Sequence, residues 1–226
     1  MIKVLFDDES AKEGENLKNI IHNSHLANVI QNIDVLLSEN AMCFLNQETN
    51  PPSKIELKEI KNAKSNDLVY KLFPKRNSSI LDCTGGFGRD AIEFSKLGYK
   101  VTMIEENPLI IMAVKKFLDK YDKANLRLMY GNSLDYLRMK SNYFDYIYID
   151  SMFKKSKNKS KSKKDLELLQ YLCREKITRF NLVKQATKNL CERIVIKDSL
   201  SSLLKYDFDY SIKTKLIRYG ILKGNI

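Results

Sequence analysis

From Ser79 onward the sequence alternates short apolar segments with amphipathic ones, and this alternation constrains the fold more than any other feature. Such alternation is typical of a parallel sheet with helices on both faces. Residues 210–222 add two segments that predict an antiparallel pair at one edge, giving a mostly parallel, seven-stranded sheet. The remaining strands are predicted at residues 80–82, 100–104, 126–130, 143–149 and 193–196, and the helices at residues 89–97, 108–120, 133–140 and 166–190.

The chain has 226 residues, which suits one main domain with additions. We predict an α/β main domain in residues 76–226 and a small N-terminal α/β extension in residues 1–75. In the extension, strands are predicted at residues 1–6, 41–45 and 55–60. Helical spacing of apolar residues covers residues 16–37, and a second helix, capped by Ser65, is predicted for residues 65–73.

The formal charge of +11 favours a polyanionic partner such as nucleic acid. A lysine-, asparagine- and isoleucine-rich composition without tryptophan is also what an AT-rich genome produces, and composition alone leaves both interpretations open. No apolar run is long enough for a bilayer, and no signal peptide is evident, so we expect a cytoplasmic protein without membrane attachment. The scattered cysteines and His22 lack ligand spacing, and no metal site is predicted.

A glycine-rich turn follows the first strand of the main domain and contains Gly85, Gly86 and Gly88. Glycine allows a ligand to approach the backbone closely, and the helix start that follows offers free N–H groups. Glu105 ends the next strand about 20 residues on, an offset that suits a ribose hydroxyl. The alternative for Glu105 is a solvated helix start, and Glu106 is near enough to compete for the ribose.

Two details of this turn favour S-adenosylmethionine over a dinucleotide. Asp82 opens the turn, and a carboxylate suits a sulfonium or an ammonium group better than a pyrophosphate. The strict G-x-G-x-x-G spacing of dinucleotide sites is also missing. The alternative for Asp82 is an aspartate that hydrogen-bonds within its own turn.

Asp150 ends a strongly apolar strand and is followed by Ser151, Met152 and Phe153. This pattern fits methyl transfer to an exocyclic amine. The Asp150 carboxylate and the Ser151 carbonyl would accept the two N–H groups and orient the nitrogen lone pair, while Phe153 would stack on a flipped base. The alternative is an ordinary strand-end acid with a buried phenylalanine.

The chain from Leu81 to Gly224 resembles the bacterial guanine-N2 methyltransferases of small-subunit ribosomal RNA (RsmJ type). Five segments carry the resemblance: Asp82-x-Thr84-x-Gly86-x-Gly88-Arg89-Asp90-Ala91, Met103-x-Glu105-x-Asn107-Pro108, Ser133-Leu134, Tyr148-x-Asp150-x-Met152-Phe153 and Arg193-x-Val195-x-Lys197.

The resemblance implies a class I methyltransferase (Rossmann-like) fold, S-adenosylmethionine as cofactor, and ribosomal RNA or the small ribosomal subunit as partner. Its target would be the N2 amine of a guanine, facing Asp150. By position, it implies cofactor contacts at Arg89, Asp90, Glu105, Glu106, Asn132, Ser133 and Asp150, beside Asp82 and the three glycines of the turn.

Beside a mild replacement of serine by Asn132, the sequence departs from the family pattern at two main places. Ser151 stands where the family has proline, and residues 56–68 lack the family's basic, glycine-rich segment. These departures motivate two alternatives: a methyltransferase acting on another RNA, DNA or a protein amide, and an RNA-binding relative without turnover. Residues 154–164 are rich in lysine and could reach phosphates or form a solvated loop. Lys197 could lie near the substrate, although a surface lysine is the simpler expectation.

Overall fold

The computed structural model describes residues 4–23, 33–39, 41–47, 53–56, 67–119, 125–139, 143–150, 179–200 and 206–226. The strands are β1 (Val4–Phe6), β2 (Ile33–Ser38), β3 (Ala41–Asn46), β4 (Ser53–Glu56), β5 (Ser79–Asp82), β6 (Lys100–Glu105), β7 (Leu126–Tyr130), β8 (Tyr146–Asp150), β9 (Arg193–Ser199), β10 (Tyr210–Lys213) and β11 (Ile217–Lys223). The helices are α1 (Ala11–His22), α2 (Asp67–Leu72), α3 (Arg89–Lys96), α4 (Pro108–Leu118), α5 (Ser133–Met139) and α6 (Arg179–Ala186).

The internal contacts divide the chain into two compact units. Among the described residues, the first unit contains residues 4–56 and 107–119, and the second contains residues 67–106, 125–150 and 179–226. The helix α4 therefore groups with the N-terminal strands, although it lies between two strands of the second unit in the sequence. The domain boundary after residue 75 stays a prediction.

The first unit is a four-stranded sheet in the order β1-β2-β3-β4, with β1 parallel to β2 and the other neighbours antiparallel. The helix α4 packs against β3. Its buried Lys116 places Nζ 2.6 Å from Glu13 Oε2, and the same ammonium donates to the carbonyl of Glu39 at 3.0 Å. A buried ammonium needs such partners because water cannot solvate it.

The helix predicted over residues 16–37 is correct only in its first part. The helix α1 ends at His22, and residues 33–38 form β2, in which Ile33, Val35 and Leu37 are buried. Their spacing of two is the strand period, and pairing with β1 on one side and β3 on the other fixes this conformation. Ser65 and residues 57–60, where a helix cap and part of a strand are predicted, lie outside the described residues.

The second unit contains a seven-stranded sheet in the order β10-β11-β9-β8-β5-β6-β7. The five strands from β9 to β7 are parallel, and β11 and β10 add an antiparallel edge, which confirms the predicted α/β fold. The strands β5 and β8 lie near the middle and are buried along most of their length. Their core includes an aromatic cluster around Phe73, whose ring centroid lies 5.0 Å from that of Phe94 and 5.2 Å from that of Tyr146.

A carboxylate joins two strands at the amino end of this sheet. Asp145 Oδ2 accepts from the backbone N–H of Ser79 at 2.7 Å and from its hydroxyl at 2.8 Å, joining the starts of β5 and β8. Lys75 Nζ donates to the other Asp145 oxygen at 2.7 Å. None of the helices within the described ranges has the length and apolar character needed to cross a membrane.

Candidate functional site

The carboxyl ends of the parallel strands bring the predicted acids to one edge of the second unit. Asp82 ends β5, Glu105 ends β6 and Asp150 ends β8, and β5 pairs with both β6 and β8. Asp150 is also the register partner of Lys197 in β9. Open α/β sheets bind their ligands at this edge, where the connection to the next helix leaves a crevice.

The glycine turn folds back onto the end of β6. The N–H of Gly85 donates to the carbonyl of Ile104 at 3.0 Å, and a Cβ atom added at Gly85 would lie 2.6 Å from Met103 Cγ. Gly86 and Gly88 have φ values of 50° and 70°, which glycine adopts without the steric cost of a side chain. The N–H of Gly86 donates to Glu105 Oε2 at 2.8 Å. The buried Glu105 carboxylate is therefore fixed against the turn.

Thr84 connects the ends of β5 and β8. Its hydroxyl donates to Asp82 Oδ1 at 3.2 Å and accepts from the backbone N–H of Asp150 at 2.7 Å. Its own backbone N–H also donates to Asp82 Oδ1, at 2.9 Å. Asp82 thus makes the local turn contact that the sequence left as an alternative, and its role toward a cofactor stays a prediction.

Burial raises the pKa of Asp82 to about 7, in spite of the hydrogen bond from the Thr84 backbone. The carboxylates of Asp90 and Asp150 act in the same direction, because a like charge nearby disfavours ionisation. A cation bound at this edge would favour the ionised form of Asp82.

Lys197 joins Asp150 to Asp90, the second residue of α3. Its Nζ lies 2.6 Å from Asp90 Oδ2 and 2.8 Å from Asp150 Oδ2, and its side chain is only 15% exposed. Tyr148, which is buried in β8, donates its hydroxyl to the same Asp90 oxygen at 2.6 Å. The expectation of a surface position for Lys197 is therefore wrong. We call Asp90, Asp150 and Lys197 the charged triad.

The two oxygens of Asp150 differ in their surroundings. Oδ2 is held by Lys197, whereas Oδ1 is buried and has no hydrogen-bond partner among the residues that the structure describes. Burial raises the pKa of Asp150 to about 6; the Lys197 ammonium opposes this shift and Asp90 adds to it. Burial by itself would lower the pKa of Lys197, but the two carboxylates raise it overall, so Lys197 carries its charge at neutral pH.

The connection after β7 supplies further polar contacts beside Glu105. Asn132 donates its amide to Glu106 Oε2 at 2.7 Å, and its Oδ1 accepts from the N–H of Leu134 at 2.9 Å, which caps the start of α5. The hydroxyl of the buried Ser133 donates to the carbonyl of Cys83 at 2.7 Å. Ser133 therefore connects this loop to the end of β5.

Most of the predicted site residues lie on these strand ends and loops, with Arg89 exposed at the start of α3. Ser151, Phe153 and the lysine-rich residues 154–164 lie outside the described residues. No role was predicted for Thr84 or Tyr148, although both lie in the motifs that carry the family resemblance. Their positions could have indicated a role, because Thr84 follows Asp82 by two residues and Tyr148 precedes Asp150 by two.

The class of protein follows from the fold and from the acids at the strand ends. The chain resembles a solved SAM-dependent methyltransferase from Neisseria gonorrhoeae with a TM-score of 0.70 and 16% identity, over 98% of this chain and 95% of the other. It also resembles MtNAS, solved in complex with S-adenosylmethionine, with a TM-score of 0.50 and 10% identity over 72% of this chain and 60% of that one. These likenesses show the class I methyltransferase fold.

The sequence comparisons then give the family. Residues 54–223 match the family described as "Putative SAM-dependent methyltransferase", and the chain belongs to this family. A relative from Buchnera aphidicola of Schizaphis graminum, named ribosomal RNA small subunit methyltransferase J, is 28% identical over 92% of this chain and 94% of its own length. A protein of the same name from Hydrogenovibrio crunogenus is 28% identical over 70% of this chain and 62% of its own.

The donor set at the sheet edge fits S-adenosylmethionine, the methyl donor of this family. That molecule carries a sulfonium, an ammonium and two ribose hydroxyls, all of which are cationic groups or hydrogen-bond donors. The edge offers carboxylates at Asp82, Asp90, Glu105, Glu106 and Asp150, and one buried oxygen of Asp150 has no partner within the described part of the chain. Carboxylates are acceptors only, so the chemistry of the two sides is complementary.

Proposed function

We propose that this protein transfers a methyl group from S-adenosylmethionine to the exocyclic N2 amine of a guanine in small-subunit ribosomal RNA. The observation that carries the proposal is the state of Asp150, at the tip of a central strand. One of its oxygens is fixed by Lys197, and the other is buried and lacks a partner among the described residues. A buried acceptor of this kind suits an amine N–H that enters with the substrate.

The ribosomal RNA target is supported by the relatives of the same family, which carry the name of a small-subunit ribosomal RNA methyltransferase. The formal charge of +11 agrees with a polyanionic partner. Such a target would also agree with the cytoplasmic location predicted from the sequence. The lysine-rich residues 154–164 are proposed to contact phosphates beside the target base.

S-adenosylmethionine, when bound, supplies a methyl group on a positively charged sulfur. Asp150 Oδ1 would accept one N–H of the amine and so turn the nitrogen lone pair toward that methyl group. Alkylation leaves the nitrogen with a surplus proton, which can pass to Asp150 or to water. Most of the rate enhancement would come from orientation and charge placement rather than from a strong base.

We assign the donor to the glycine turn and the adjoining strand ends. Glu105, with Glu106 as its neighbour, would take the ribose hydroxyls. Ser151 would add its carbonyl to the amine and Phe153 would stack on the base. The proposed donor contacts are Asp82, Gly85, Gly86, Gly88, Arg89, Asp90, Glu105, Glu106, Asn132, Ser133 and Asp150.

The test is mass spectrometry of small-subunit ribosomal RNA incubated with the protein and S-adenosylmethionine, as free RNA and as assembled subunits. N2-methylguanine should form with the wild-type protein and should be lost with Asp150→Ala, while circular dichroism and urea unfolding show that the variant folds. Turnover by Asp150→Ala equal to that of the wild type would reject the assigned role.

Methylation of other substrates and calorimetry with the donor separate the alternatives. A protein that binds the donor but methylates only another RNA, DNA or a protein amide would have the proposed chemistry with a different substrate. A protein that binds RNA and shows no affinity for the donor in calorimetry would be a relative without turnover, and the proposal would fail.

A further inference from the structure

The charged triad contains a lysine for which methyl transfer has no direct need. Its ammonium lies between Asp90 and Asp150, with both contacts below 3 Å, in a site where a cationic donor is expected. The ammonium of a lysine repels a nearby sulfonium, so the position of Lys197 beside the expected donor site needs a physical reason. The geometry supplies one, because the ammonium occupies one oxygen of each carboxylate and leaves Asp150 Oδ1 without a partner among the described residues.

We propose that Lys197 is a positioning residue, which holds Asp150 ionised and oriented with Oδ1 as the acceptor for the target amine. This inference rests on the proposed function. Lys197 does not touch the reacting atoms in this scheme. It acts through Asp150, and Tyr148 steadies the triad from the other side by donating to Asp90 Oδ2.

The charges explain why a lysine is needed between these acids. Two carboxylates that share one ammonium carry a net charge of −1, which the single positive charge of a sulfonium can balance. Without the ammonium, two partly buried carboxylates would face each other, and their like charges would favour the retention of one proton by the pair. A protonated Asp150 could no longer accept the amine N–H through that oxygen.

The remaining groups around Asp150 do not replace the ammonium. Apart from Lys197, the titratable groups with a recorded influence on Asp150, or under its influence, are acids and phenols. These groups are Asp90 from α3, Asp82 from β5, Tyr148 from β8 itself and Tyr219 from β11. Removal of Lys197 therefore takes away the ammonium that pairs with both carboxylates, and these four groups supply no positive charge in its place.

The experiment measures the protons released when a ligand binds, by calorimetry at pH 7.5 in two buffers of different ionisation enthalpy. With Lys197→Met, binding of the cationic S-adenosylmethionine should displace the shared proton and release about half to one proton per site. The neutral, demethylated product S-adenosylhomocysteine should release none. The wild type should release few protons with either ligand, because its triad already carries the charge of −1.

Three further variants control this result. The double variant Lys197→Met with Asp90→Asn restores the single negative charge without the lysine, so it should lose the proton release. It also removes the repulsion that could unfold the single variant. Lys197→Arg keeps the charge and should behave as the wild type. Lys116→Met removes a lysine of similar burial and pairing from the other unit and should release no protons.

An equal proton count for Lys197→Met and the wild type would overturn the inference, even if ribosomal RNA is methylated. The activity profile gives a second readout: the acid limb of the turnover of Lys197→Met should move to higher pH by about one unit or more, whereas a merely structural loss lowers turnover equally at every pH. If the wild type methylates no ribosomal RNA but the proton counts are as stated, the proposed substrate fails and the role of Lys197 stands.

Discussion

Replacing Thr84 by valine removes the hydroxyl that connects two strand ends of the site. Valine has nearly the same shape, so the change leaves the Asp150 N–H without the acceptor that it meets at 2.7 Å. It also removes one of the two hydrogen bonds from Thr84 to Asp82. Leaving one buried donor unsatisfied costs about 1–3 kcal/mol, and we expect the free energy of unfolding in urea to fall by about that amount.

We expect Thr84→Val to lower turnover as well as stability. The lost bond holds the backbone of Asp150, so the carboxylate loses its fixed position and turnover should fall by tenfold or more, since displaced catalytic groups lose rate steeply. Thr84→Ser keeps the hydroxyl and should retain most of both properties. Thr187→Val removes an exposed hydroxyl that donates to a helix carbonyl at 2.9 Å, and stability should change by about 0.5 kcal/mol or less. Equal free energies of unfolding and equal turnover for Thr84→Val and Thr84→Ser would refute the role of the Thr84 hydroxyl between Asp82 and Asp150.

Three further substitutions test other parts of the second unit. Asp145→Ala should lower the free energy of unfolding by about 1–3 kcal/mol and leave donor affinity unchanged, because it deprives the Ser79 N–H of its acceptor at the amino end of the sheet. Burial raises the pKa of Asp145, but its hydrogen bonds lower the pKa by more, so the stabilisation by the Asp145 carboxylate is present above about pH 4. Below that pH, the free energies of unfolding of the wild type and the variant should approach each other. Glu105→Ala should weaken donor binding in calorimetry by tenfold or more, since a charged hydrogen bond is worth about 1.5–3 kcal/mol; a larger loss in Glu106→Ala would transfer the ribose role to that residue. Asp82→Asn should flatten the pH dependence of the free energy of unfolding. Burial raises the pKa of Asp82 to about 7, so the folded protein keeps a proton that the unfolded chain releases above about pH 4, and stability falls with rising pH by at most about 1.4 kcal/mol per pH unit. An unchanged slope in the variant would contradict this.

The sheet of the second unit could be predicted because each of its strands has a local signal. The strand β7 has the predicted bounds, and α3 differs by one residue at its end. In the first unit, apolar residues at both helical and strand spacing precede β3, so the pattern over residues 33–37 fits either structure. Pairing with β1 and β3 decided it, and neither pairing is visible in a short window.

The acids of the site were predictable for a related reason. Residues that end parallel strands meet at one edge, whatever the details of packing. What the sequence could not give was the partner of each acid. Glu105 binds the N–H of Gly86, 19 residues away, and Asp82 binds its own turn. These contacts depend on side-chain directions and on where water is excluded.

Lys197 shows where such a prediction could have gone further. Its sequence distance from Asp150 is 47 residues, and no local pattern joins the two. Once β8 and β9 are known to be parallel neighbours, the residue that faces Lys197 depends on the register of this strand pair. The register aligns Tyr146, the first residue of β8, with Arg193, the first residue of β9, and the positions four residues on are Asp150 and Lys197. Neighbouring residues on paired strands point to the same face of a sheet, so an acid and a lysine in that register will pair. The predicted strand over residues 143–149 begins three residues before β8 and ends before Asp150, so the register that moves Lys197 from the surface to the site came from the structure.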